Sequence, residues 1–166
     1  MRAALGIDPG MKGGIVWLNR TGSEVNSWRM PVIGDGSKAA LDRHGLLVIL
    51  RDFQETGGVV AVEAVGARPT DSRVGAFTFG RAFEAPISMC AGLGVEVQLV
   101  RPQDWTRVYL RGKPRGKFIK KSAAEVAQLR FPTLPLGVKA NWGMADAALI
   151  ASYVQERNHM KIVKHG

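Results

Sequence analysis

The stretch Ala3-Ala4-Leu5-Gly6-Ile7-Asp8-Pro9-Gly10-Met11-Lys12-Gly13-Gly14-Ile15-Val16-Trp17-Leu18 decides the fold. Two apolar runs, Ala3 to Ile7 and Gly13 to Leu18, are parted by Asp8-Pro9-Gly10. Proline lacks an amide donor and glycine has no side chain to pack, so together they stop a strand. Asn19-Arg20-Thr21-Gly22 supplies the next turn, and Val25 to Met30 alternates weakly as a third strand. The result is an antiparallel meander.

Outward from this meander the pattern changes. Pro31 to Gly36 reads as loop. Ala39 to Phe53 carries Leu41, Leu46, Leu47, Ile49, Leu50 and Phe53 near helical spacing. Val59-Val60-Ala61-Val62-Glu63, after Gly57-Gly58, is a continuous apolar run of the kind found in a buried central strand. Val74 to Met89 reads as a helix, and Val95 to Val100 as a strand ended by Pro102. Ser122-Ala123-Ala124-Glu125 has the form of a capping box opening a helix that runs to about Arg130. A loop to Gly143 precedes a last helix, Met144 to about Arg157. The order is three strands, a helix, a strand, a helix, a strand and two helices. That is an α/β fold with a mixed central sheet flanked by helices. We read residues 1–158 as a single domain and 159–166 as a polar C-terminal tail.

The 166 residues suit one core, and no apolar run approaches the ~20 residues of a membrane span. No membrane partner is expected. Asp8 interrupts the apolar stretch a cleaved signal would need, and Cys90 has no cysteine partner, so a cytoplasmic protein is expected. His44, His159 and His165 are isolated, and Cys90 and the Phe77, Phe79 and Phe83 rings read as packing.

Charge gives the first functional clue. Lys and Arg number 23 against 14 Asp and Glu, a net +9, and the excess is clustered. From Arg101 to Lys121 eight basic residues accompany one acid, Asp104. Pro114, Gly112 and Gly116 break any membrane-surface helix there. A solvated basic loop explains the charge; Trp105, Tyr109 and Phe118 within it favour nucleic acid, because bases stack on rings beside phosphate-pairing cations.

Three acids occupy places where a carboxylate is locally costly. Asp8 closes an apolar strand, Glu63 ends the most hydrophobic strand, and Asp146 lies within Ala145-Asp146-Ala147-Ala148-Leu149-Ile150-Ala151. Taken singly, each is also explained by a helix cap or an ion pair, and a first-turn Asp146 suits the helix dipole. Glu63, at a strand end, has no dipole to explain it. Converging carboxylates need a cation, and hard oxygen donors favour Mg²⁺ or Mn²⁺.

Gly6-Ile7-Asp8-Pro9-Gly10 with Gly13-Gly14, then Val60-Ala61-Val62-Glu63, then Ala145-Asp146-Ala147 resembles the RuvC family of Holliday junction resolvases, in its short phage-type branch. Gly80, Val100-Arg101-Pro102 through Trp105, the basic loop and Lys121-Ser122 match in order, and the resemblance spans Leu5 to Tyr153. It implies an RNase H-like fold, a homodimer and paired, metal-dependent nicking of four-way or otherwise branched DNA. No small-molecule cofactor is expected. Asp8, Glu63 and Asp146 match the family's Mg²⁺ ligands, with Mn²⁺ as a substitute, and Lys121 matches its phosphate-contacting lysine, with Lys120 an equally near neighbour. The implied DNA contacts are Arg68, Arg111, Lys113, Arg115, Lys117, Lys120 and Lys121, Arg68 lying in the loop Val65 to Ser72. The dimer is expected to draw on Val74 to Met89.

One departure stands out. The family's fourth ligand, an Asp or His three or four residues before the last acid, meets Gly143 and Trp142 here, with Asn141 just before. A second reading is therefore a branched-DNA-binding protein that cuts weakly. A third is another RNase H-like nuclease acting on RNA.

Overall fold

The computed structural model of the chain describes residues 1–66, 69–113 and 116–165. Its sheet is built from β1 (Ala4–Asp8), β2 (Gly14–Leu18) and β3 (Glu24–Arg29), the expected meander, which two later strands extend on the far side of β1. The short pair β4 (Val32–Ile33) and β5 (Ala40–Leu41) forms a separate hairpin within the region read as loop and helix start. Helix α1 (Arg43–Gln54) accordingly starts later than its apolar pattern suggests. Asp42 fixes that start: its carboxylate accepts the Gly45 amide at 3.0 Å. Then come β6 (Val59–Glu63), α2 (Arg73–Leu93) and β7 (Glu96–Val100). The five-stranded order is β3-β2-β1-β6-β7, antiparallel from β3 to β1 and parallel from β1 to β7.

The last third corrects the sequence reading. Pro102 does not merely end a strand; it occupies the first turn of a helix, α3 (Pro102–Tyr109), where a missing amide costs nothing. Helix α4 (Ile119–Arg130) begins three residues before Ser122, straight out of a 3₁₀ turn at Gly116–Phe118. Ser122 is buried inside α4 and is not its cap. Helix α5 (Trp142–His165) begins before Met144 and carries helical backbone past Arg157 into the segment read as a tail.

Both sheet faces are covered. Leu5, Ile7, Ile15, Val60 and Val62 pack under α1 and α2, with the Trp17 and Phe53 rings edge to face at 5.4 Å. Ala4, Val16, Leu18, Val59 and Ala61 pack under α3, α4 and α5. α5 lies unusually close to the strands, and glycine is the reason. A β-carbon on Gly6 would fall 1.9 Å from the Ala147 carbonyl oxygen, and one on Gly14 would fall 2.6 Å from the Met144 amide. Small residues on both partners bring the α5 backbone onto β1 and β2.

Candidate active site

Strand periodicity decides where the acids go. Successive side chains point to opposite faces, so Asp8 shares the α5 face with Ala4, and Glu63 shares it with Val59 and Ala61. β1 and β6 run parallel with Ile7 opposite Val62, which sets Asp8 and Glu63 side by side at the carboxyl ends of their strands. In open α/β sheets that end is where ligands bind. The close seating of α5 then delivers Asp146 to the same spot. The three carboxylates line one cavity of about 370 Å³, together with Lys120 and Trp105. All three are nearly buried: Asp8 is 7%, Glu63 9% and Asp146 6% exposed.

Two contacts organise the cluster. The Lys120 ammonium donates to Asp146 Oδ2 at 3.0 Å and reaches Asp8 Oδ2 at 3.5 Å. The Trp105 indole Nε1–H donates to Glu63 Oε1 at 2.8 Å. Asp8 also accepts the Gly10 amide at 3.4 Å, which ties it into the turn after β1.

The electrostatics follow from this crowding. Burial, then the neighbouring Asp8 charge, push the Glu63 carboxyl up to about 7 against the pull of the Trp105 hydrogen bond. Burial also pushes Asp146 up to about 6, the Lys120 charge restraining it. Burial pulls Lys120 down, but the Asp146 and Asp8 charges outweigh it and hold the ammonium well above its ordinary range. The cluster is anionic, desolvated and short of positive charge.

That donor set fits a divalent cation of the hard, oxygen-seeking kind. Among the described residues no three His, Cys, Asp or Glu side chains are already drawn together as a ligand cage. The Lys120 ammonium takes the bridging position between Asp8 and Asp146 instead.

Among the described residues, Lys120 is the lysine that lines the cavity. Lys121 points along α4 toward Glu125, 3.9 Å away, with its side chain largely exposed. Its expected place beside the carboxylates therefore passes to its neighbour, because one residue is 100° of helix. Arg111 and Lys113 are exposed in the turn after α3. Arg68 and Arg115 lie outside the described residues, and of Lys117 only the backbone in the 3₁₀ turn is described.

The aromatic reading of the basic stretch also changes. Trp105 is buried and serves Glu63, while the Tyr109 hydroxyl donates to Glu156 at 2.9 Å under the Arg130 guanidinium. Only Phe118 of the three stays substantially exposed. A sequence signal for Trp105 existed: Pro102 and Asp104 mark a helix start, and Trp105 lies on that helix.

The fourth-ligand position has a plain structural explanation. Gly143 sits in α5 against the β1–β2 turn, where a β-carbon would come 2.4 Å from the Gly13 carbonyl carbon and 2.6 Å from the Lys12 oxygen. No side chain fits there. Asn141 is occupied otherwise: its amide nitrogen donates to the Pro135 carbonyl at 2.5 Å and its oxygen accepts from Arg29 Nε at 2.6 Å.

The sequence matches no family model and no curated protein. Solved structures do match. RuvC of T. thermophilus in complex with a Holliday junction substrate is 19% identical, with a TM-score of 0.66 over 95% of this chain and 96% of that one. A further structure of RuvC from Thermus thermophilus is 20% identical, with a TM-score of 0.59 over 96% of each chain. The fold is that of RuvC. It is the RNase H-like fold expected from the sequence, a mixed sheet with helices on both faces.

Proposed function

We propose that this chain is a divalent-metal-dependent endonuclease of the RuvC family, in its short phage-type branch, that resolves four-way DNA junctions by paired nicks. One observation carries this reading: three buried carboxylates from β1, β6 and α5 meet in one cavity with a lysine ammonium already seated against two of them. The RuvC-like fold and the net charge of +9 support it.

Asp8, Glu63 and Asp146 would hold Mg²⁺, or Mn²⁺ in its place. When bound, such an ion supplies Lewis acidity toward phosphate oxygens and lowers the pKa of water. The remaining chemistry belongs to the chain. Water oxygen bonds to phosphorus as the P–O3′ bond breaks, and one proton moves from that water to the leaving oxygen or solvent. Trp105 fixes the rotamer of Glu63. Lys120 offers its ammonium to a phosphate oxygen, a role a point charge on a flexible stem suits. Arg68, Arg111, Lys113, Arg115, Lys117 and Lys121 extend the phosphate-binding surface.

A junction presents two equivalent strands, so a two-fold dimer with two identical sites matches its symmetry. The exposed apolar residues Val74 and Phe77 on α2, beside the bare backbone of Gly80, support that interface. We place the working enzyme in the cytoplasm, with 1–158 as its nuclease domain. No helix among the described residues is long and apolar enough to cross a membrane.

A four-way junction, a duplex and an RNA–DNA hybrid, each incubated with Mg²⁺, Mn²⁺ or EDTA, test the proposal. Paired nicks in the junction alone, lost in EDTA, are expected. Preferential cutting of the hybrid would favour an RNA-processing enzyme. Tight junction binding without nicks would favour a pure binding protein, the reading that Gly143 makes pertinent.

A further inference from the structure

The three helices that border the carboxylate pocket meet a second time, away from it. At the pocket they bring Trp105 from α3, Lys120 from α4 and Asp146 from α5. At the second meeting α3 and α4 each send a side chain to one carboxylate of α5, Glu156. The Tyr109 hydroxyl donates to Glu156 Oε2 at 2.9 Å. The Arg130 guanidinium pairs with Glu156 Oε1 and donates through Nε to Ser152 Oγ at 3.1 Å. Ser152 donates in turn to Glu156 Oε1 at 3.3 Å, and the Arg130 guanidinium lies 5.3 Å from the centre of the Tyr109 ring. Both oxygens of Glu156 are therefore engaged, by donors from all three helices.

Helix geometry relates this node to the pocket. Trp105 and Tyr109 stand four residues apart, on one face of an α3 only eight residues long. A helix that short does not hold itself in water, so its place depends on what its side chains grip. Trp105 grips Glu63 at 2.8 Å and Tyr109 grips Glu156; with one hold gone, α3 can pivot on the other. Arg130 lies ten residues beyond Lys120, and Glu156 ten beyond Asp146, about 15 Å of helix in each case. α4 and α5 thus run side by side in one direction, tied at one end by Lys120–Asp146 and at the other by Arg130–Glu156. The second tie fixes how far α4 can slide along α5, and hence where the Lys120 ammonium falls. Arg130 and Glu156 are 42% and 37% exposed, and an ion pair that wet adds little to stability. Burial raises the Tyr109 phenol above its ordinary range, so the hydroxyl keeps its proton and stays a donor.

We infer that Tyr109, Arg130 and Glu156 are positioning residues for the reaction: through this node they hold Trp105 on Glu63 and Lys120 on Asp146. The inference rests on the nuclease reading above and adds residues that set the geometry of its site from a distance. None of the three lines the carboxylate cavity, so their effect passes through Trp105 and Lys120.

Tyr109→Phe is the first test, because it removes one hydroxyl and keeps the ring. The chain has four tryptophans, and in metal-free protein without DNA the indole N–H resonance of Trp105 is the one missing from Trp105→Phe. In Tyr109→Phe that resonance should shift and exchange with water roughly three- to tenfold faster, the scale of one lost hydrogen bond. The indoles of Trp17 on β2 and Trp28 on β3 should not respond. An unmoved Trp105 signal, or an equal change in all four indoles, would overturn the inference. Single-turnover junction cleavage in Mg²⁺, well below the melting temperature, should slow by a similar factor with junction affinity in EDTA unchanged. Adding Tyr109→Phe to Trp105→Phe should cost nothing further, since both act through one contact; additive losses would overturn it. Glu156→Ala releases Arg130 as well and should slow cleavage more than Tyr109→Phe does; a smaller loss would remove the hold on Lys120. Wild-type cleavage separates this inference from the nuclease reading. If the wild type cuts while the indole and the rate ignore Tyr109→Phe, the positioning falls and the nuclease stands. If the wild type cuts no junction, the nuclease reading falls and takes the role in the reaction with it, whatever the indole shows.

Discussion

Lys120 Nζ lies 3.0 Å from Oδ2 of Asp146, a side-chain cation seated against a buried carboxylate. Its reach to Asp8 at 3.5 Å makes it a bridge between two of the three buried carboxylates. Its stem remains half-exposed, so the ammonium can leave without disturbing the core.

Replacing Lys120 by Met should therefore have two opposite effects. At pH 8 and above, Mn²⁺ affinity measured by calorimetry should rise, because a competing cation has gone. Junction cleavage should fall by about 10²-fold, the scale for loss of one charge-stabilising donor. Lys121→Met should leave both within a few-fold. Equal effects of the two substitutions would remove the special role of Lys120.

The raised carboxyl groups set a pH dependence of stability in the absence of metal. Glu63 near 7 and Asp146 near 6 both stand above their ordinary values, so the fold prefers their protonated forms. Their contribution is full below the unfolded pKa values near 4 and is lost as pH rises through 6 and 7. Lys120 titrates far above that window and does not offset the loss. In EDTA the Tm should drop by several degrees between pH 5 and pH 8, at about 2–4 °C per kcal/mol. Mg²⁺ should restore it more at pH 8 than at pH 5, since ligands must be ionised to bind. A Tm independent of pH and metal would contradict this.

Trp105 is tied to the carboxylate cluster through its hydrogen bond to Glu63. Trp105→Phe keeps most of the packing but leaves the buried carboxylate without its 2.8 Å donor, at a cost of about 1–3 kcal/mol. That hydrogen bond favours the charged form, so its removal should raise the Glu63 pKa further. The acidic limb of the cleavage profile should move to higher pH, with full activity recovered in alkaline buffer. A lower rate at every pH with an unmoved profile would make Trp105 a packing residue alone.

Gly143→Asp would put a carboxylate at the position of the fourth ligand, but the 2.4 Å approach to Gly13 leaves it no room. Even Gly143→Ala should cost about 1–3 kcal/mol of stability, because helix and turn must part. Cleavage in Mg²⁺ should fall for both. An Asp variant that folds normally and cuts faster would show that α5 yields at this point.

The meander, the central strand and the three acids were legible because period-2 burial and locally costly carboxylates leave marks in a short window. The site lysine was not. Choosing Lys120 over Lys121 requires the helical phase of α4, and that phase depends on a start at Ile119 out of a 3₁₀ turn. The false capping box at Ser122 shows the same difficulty, since a buried serine and a cap look alike without tertiary contacts. Trp105 was misread as a stacking ring because its role depends on Glu63, 42 positions away.

Asp8→Asn is the most direct test of the carboxylate–metal site. The substitution keeps the shape of the side chain and its hydrogen bond to the Gly10 amide, removes the charge, and leaves the basic surface intact. Single-turnover cleavage of a four-way junction in Mg²⁺ should drop by at least about 10³-fold, while junction affinity in EDTA stays within a few-fold of the wild type or tightens. Cutting by Asp8→Asn at the wild-type rate would contradict a metal-binding carboxylate cluster as the catalytic centre.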